Sequence, residues 1–165
     1  MGNMSRREAV RATATLVAGF AATGAVREVA AAQAPSAPLP VAARIRFGVI
    51  GINHAHINSQ LGATIRGGGE FVSFWAPEAD LAASFARRFP QAKRVTDRRE
   101  ILEDPSIQLV LSSIIPNQRA PLGIEVMKHG KDYMVDKPGI TTLEQLAEVR
   151  RVQQETKRIY SIMYS

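Results

Sequence analysis

From Arg44 onward, short apolar runs alternate with amphipathic segments, and this alternation leaves few folds open. Ile45–Ile50 is a compact apolar run closing on Gly51, as expected of a buried parallel strand. His54–Arg66 reads as a first helix, stopped by Gly67-Gly68-Gly69. Phe71–Trp75 is a second strand. Pro77 suits the first turn of a helix that places Leu81, Phe85 and Phe89 on one face. A short strand near Arg94-Val95, a short helix over Arg98–Leu102 and a turn at Asp104-Pro105 follow. Ile107–Ile115 contains a fourth strand, Arg119–His129 a helix ending at Gly130, and Tyr133–Val135 a fifth strand. Thr142 caps a helix through Thr156 with Leu143, Leu146, Val149 and Val152 facing inward, and Ile159–Ser165 starts a sixth strand. Such a βα series predicts an α/β fold: a Rossmann-type, doubly wound parallel sheet in three α/β/α layers, with strand order 3-2-1-4-5-6.

Bulk properties remove several functions. The chain has 165 residues and no cysteine, so disulfides, thiol catalysis and cysteine-bound metals are excluded. Its net charge is +6, and four arginines against two glutamates place +2 of that within residues 1–32. The remaining basic residues are scattered in short pairs such as Arg87-Arg88, not in the dense stripe a nucleic-acid face uses. Residues 1–32 read as an export leader. Arg6-Arg7 sits in a twin-arginine-like context, a weakly apolar run follows over Ala12–Val26, and Ala30-Ala31-Ala32-Gln33 suits a signal peptidase. That run is too short and too rich in small residues for a stable membrane span after processing. The expected location is periplasmic or extracytoplasmic. Residues 33–43 hold Pro35, Pro38 and Pro40 and read as an extended linker or arm, and residues 44–165 as the folded domain.

Two motifs carry chemistry. Phe47-Gly48-Val49-Ile50-Gly51-Ile52-Asn53-His54 is a strand–turn–helix opening of the dinucleotide-binding kind, and Val135-Asp136-Lys137-Pro138 puts a lone lysine at the end of an apolar strand. They are about 85 residues apart, a spacing that suits the first and fifth strands of one sheet. A lysine at the carboxyl end of a parallel strand faces the crevice where ligands bind. Two histidines at i, i+2, His54 and His56, diverge on a helix, and with no third ligand nearby in sequence no metal site is expected.

Phe47-Gly48-Val49-Ile50-Gly51, Ile115-Pro116-Asn117, Gly130-Lys131 and Asp136-Lys137-Pro138-Gly139 occur in an order and spacing that resemble the glucose–fructose oxidoreductase, inositol dehydrogenase and rhizopine-catabolism family (Gfo/Idh/MocA). The resemblance covers Arg44–Ser165 and implies an N-terminal domain binding NAD or NADP. It implies cofactor contacts from Gly48, Gly51, Asn53, His54, Pro116, Asn117, Asp136, Lys137 and Pro138. It also implies that Lys137 is catalytic, orienting a substrate hydroxyl and easing loss of its proton. Family members continue into a substrate domain that has no counterpart here, so the chain is expected to be inactive alone and prone to self-association.

The sequence departs from the family's glycine fingerprint. Only Gly51 of Gly-x-Gly-x-x-Gly is present; Asn53 and His56 occupy the other two places. Asn53 tolerates the turn but would crowd a pyrophosphate, and His56 is bulky where helix meets sheet. An acid for the adenosine ribose would fall near Ala76, while Glu78 and Asp80 sit at the start of the next helix, so NAD and NADP both stay open. The expected function is the nucleotide-binding domain of an oxidoreductase acting on a sugar, polyol or related hydroxyl compound. An NAD-dependent glycosidase of the same fold and a non-catalytic Rossmann-like binding module are the alternatives.

Overall fold

The computed structural model describes residues 45–164. The leader read at 1–32 and the proline-rich segment at 33–43 lie outside the described residues. Six strands form one sheet: β1 (Arg46–Ile50), β2 (Glu70–Trp75), β3 (Lys93–Arg94), β4 (Leu109–Ser112), β5 (Asp132–Asp136) and β6 (Tyr160–Met163). Every pairing is parallel and the spatial order is β3-β2-β1-β4-β5-β6, as the alternation predicts. The connecting helices are α1 (Ile57–Arg66), α2 (Ala79–Arg88), α3 (Arg99–Leu102), α4 (Pro116–Lys128) and α5 (Leu143–Thr156).

Side chains alternate across the sheet and build a core on each face. Phe47 and Val49 of β1 join Phe71, Phe74 and Phe85 under α1 and α2. The Phe71, Phe74, Phe85 and Phe89 rings meet at centroid distances of 4.8–6.5 Å, so the aromatics near β2 are packing residues. On the other face Ile50, Ile101, Ile107, Val110, Leu122 and Tyr133 pack together. Gly48 serves this core: a Cβ there would lie 2.5 Å from Ile101 Cγ2. It is a packing glycine inside β1.

Three boundaries differ from the sequence reading. Helix α1 begins at Ile57 and not at His54, because residues 54–56 form a turn whose backbone bonds to Ser113. Helix α4 begins at Pro116, so Pro116 and Asn117 form its first turn and not a loop; proline is pre-set for that position. Leu143, expected to face inward, is 79% exposed in the first turn of α5, and Leu81 is also exposed. Thr142 does cap α5, its hydroxyl accepting from Gln145 N–H at 3.1 Å.

Candidate functional site

All the carboxyl ends of the strands lie on one edge of the parallel sheet, and β1, β4 and β5 bring three loops together there. Gly51 ends β1 with φ +78°, and an added Cβ would sit 2.8 Å from Ile114 Cβ. Only glycine meets both demands. The chain then turns beneath β4: Ser113 Oγ accepts from His54 N–H at 3.3 Å and donates to His54 O at 2.9 Å.

Asn53 does not project across the crevice. Its Nδ2 donates to Glu78 Oε1 at 2.5 Å. Glu78 is the extended residue before α2 and reaches back from the end of β2 towards the Gly51 loop. Glu78 thus reaches the Gly51 loop from two residues beyond Ala76, which is itself buried. Asn53 Oδ1 and Glu78 Oε2 are buried with no hydrogen-bond partner. An unpaired buried acceptor costs about 1–3 kcal/mol, so this pair is suited to accept from a ligand.

At the end of β5, Asp136 is buried and crowded with donors. Its Oδ1 accepts from Lys137 N–H at 2.8 Å and faces His56 Nδ1 at 3.0 Å. Its Oδ2 accepts from Arg119 Nη2 at 3.2 Å and lies 3.4 Å from His54 Nδ1. Burial pushes the carboxyl up, but the His56 hydrogen bond and the Arg119 guanidinium outweigh it and hold Asp136 below the usual carboxylate range. The carboxylate thus forms a buried ion pair with Arg119.

Arg119, not identified from the sequence, organises this corner. Its Nε donates to Ile114 O at 2.6 Å, and its Nη1 to the carbonyls of Asp136 (3.0 Å), Lys137 and Pro138 (3.3 Å). One guanidinium thus ties the end of β4 to the cis Lys137-Pro138 turn. A signal was present: Ile115, Arg119, Leu122 and Val126 follow helical spacing, and a charge inside such a stripe needs buried partners.

A cavity of about 330 Å³ opens between these loops, lined by Asn53, His54, Ile114, Pro116, Asp136 and Lys137 among others. Lys137 itself is exposed at the rim. Asn117 does not line the cavity; it is exposed, and its carbonyl accepts from Gln145 Nε2 at 3.3 Å. Pro138 is exposed and not among the lining residues. His54 and His56, expected to diverge, converge on Asp136 with ring centroids 4.2 Å apart. The turn at 54–56 makes this possible, because the two residues precede the regular helix.

The tight Gly51 turn, the start of α1 and the unpaired Glu78–Asn53 acceptors fit a dinucleotide: that pair would hold ribose hydroxyls, and the α1 N-terminus would favour a phosphate. Fold and crevice together define a nucleotide-binding Rossmann domain. Residues 45–164 match the oxidoreductase family with an NAD-binding Rossmann fold, Gfo/Idh/MocA, and the chain belongs to that family. It is 29% identical over 104 residues to 1,5-anhydro-D-fructose reductase of Ensifer adhaerens, covering 63% of this chain and 31% of that protein. A solved oxidoreductase-class structure from Erwinia carotovora atroseptica superimposes with a TM-score of 0.70 at 34% identity, over 72% of this chain and 36% of the other. The biliverdin reductase of Synechocystis, solved with biliverdin and NADP+, shares the fold at 22% identity and a TM-score of 0.62, over 72% of this chain and 37% of its own. The chain spans about a third of the length of these relatives.

Proposed function

We propose that this chain is the dinucleotide-binding part of an oxidoreductase acting on a hydroxyl or carbonyl carbon of a sugar, polyol or related compound. The observation that carries it is the position of Gly51 and Lys137 at one sheet edge, on either side of β4 and its cavity. A bound nicotinamide would supply or accept the hydride. The chain's own contribution is positional and electrostatic. The Lys137 ammonium at the rim stabilises the oxygen that loses or gains a proton, and Nζ can carry that proton. Asp136 fixes the Lys137 backbone through its N–H, and Arg119 holds the adjoining carbonyls. The Glu78 carboxylate, with one oxygen free, favours the ribose diol of NAD and repels the 2′-phosphate of NADP.

Titrating NADH and NADPH into the full chain while following nicotinamide fluorescence tests this reading. Saturable enhancement with NADH, weaker with NADPH and lost in Gly51→Val, is expected. No saturable signal with either nucleotide would overturn it. The Arg6-Arg7 leader supports a further proposal, export through a twin-arginine-type route, which cell fractionation of the tagged full-length protein would check.

A further inference from the structure

We propose that His54, His56 and Asp136 form a binding site for a late first-row divalent metal ion. One donor atom from each residue lies within 4.8 Å of the other two. His56 Nδ1 is 3.0 Å from Asp136 Oδ1, and His54 Nδ1 is 3.4 Å from Asp136 Oδ2. Two zinc bonds to nitrogen or oxygen at a tetrahedral angle hold their donors about 3.3–3.5 Å apart. The two separations lie close to that value but end on different carboxylate oxygens, so a metal held by one oxygen or by both needs a small side-chain adjustment. His54 is half exposed, so its ring has room to turn and close the third separation.

The surroundings resemble those of a built ligand set. Ligating carboxylates are usually oriented by outer hydrogen bonds. Here Arg119 Nη2 and Lys137 N–H supply them to Asp136. Ser113 clamps the backbone of His54 on both its N–H and its C=O, fixing the loop that carries both imidazoles. Two imidazoles and one carboxylate suit zinc, cobalt, nickel or copper; magnesium and calcium prefer oxygen donors. Three protein ligands leave a fourth position for a small oxygen ligand, and His54 and Asp136 both line the cavity. The guanidinium beside Asp136 opposes the incoming charge and weakens the site relative to a closed structural zinc site. The inference is independent of dinucleotide binding.

The test is a titration of the full chain with Co(II) alone, read by visible absorption. One equivalent should give saturable ligand-field bands, which Zn(II) abolishes and Mg(II) leaves unchanged. His54→Ala and His56→Ala should each lose the bands. His129→Ala, which removes the remaining imidazole of the chain, should keep them. A readout that needs no variant is ring-nitrogen NMR of the wild-type chain. Zn(II) should shift the Nδ1 resonances of two histidines and leave the third unmoved. Cobalt bands that persist in the His54→Ala, His56→Ala double variant, absence of saturation below millimolar metal, or unmoved ring resonances would overturn the proposal.

Discussion

Arg119 and Asp136 form an ion pair at 3.2 Å with side chains only 4% and 3% exposed, joining the first turn of α4 to the end of β5. The pair sits in a network: Arg119 also serves four main-chain carbonyls, and Asp136 also faces His54, His56 and the Lys137 amide. The arrangement holds the Lys137 backbone from below.

Replacing Arg119 with alanine leaves a buried carboxylate and several buried carbonyls without their partner. The expected cost is about 3–5 kcal/mol. Arg119→Lys recovers only part of it, because an ammonium cannot reproduce the planar fork. Urea unfolding of the three proteins checks this. Equal stability of wild type and Arg119→Ala would contradict the network.

Acid should loosen this corner. Burial raises the Asp136 carboxyl, but His56 and Arg119 lower it further, so its folded pKa lies below its unfolded one. Asp136 therefore contributes stability above about pH 4, the unfolded carboxylate value, and that contribution is lost as pH falls through the lower folded value. Thermal unfolding across pH 2–6, on the order of four pH units, should show a steeper acid loss for wild type than for Asp136→Asn.

The free acceptor on Glu78 predicts cofactor choice. Glu78→Gln keeps the Asn53 contact available but removes the charge, so NADH binding weakens by about 10-fold, the scale of one charge-assisted hydrogen bond. The NADPH affinity changes less or improves. Fluorescence titration of both nucleotides reads the ratio, and an unchanged ratio would remove Glu78 from the ribose site.

Three glycines should resist alanine for different reasons. Gly51→Ala forces a side chain at φ +78° into Ile114, costing about 1–2 kcal/mol for the backbone alone. Gly123→Ala, on α4, meets the Tyr133 and Tyr160 rings and costs about 1–3 kcal/mol as overpacking. Gly130→Ala meets nothing within 4 Å but sits at φ +74°, so it loses only the backbone part. Chemical denaturation orders the three.

The β/α alternation, the strand order, the Thr142 cap and the edge position of Lys137 followed from local pattern, because period and turn chemistry are properties of neighbouring residues. Leu143 shows the limit: helical spacing placed it inward, yet its side chain is left exposed in the first turn of α5. What only the tertiary structure decided were meetings between distant residues. Glu78 reaches Asn53 across 25 positions, Arg119 reaches Asp136 across 17, and His56 reaches Asp136 across 80. No sequence window contains such pairs. They exist because parallel pairing of β2, β1, β4 and β5 stacks their carboxyl ends side by side, and polar groups brought together there must satisfy one another away from water.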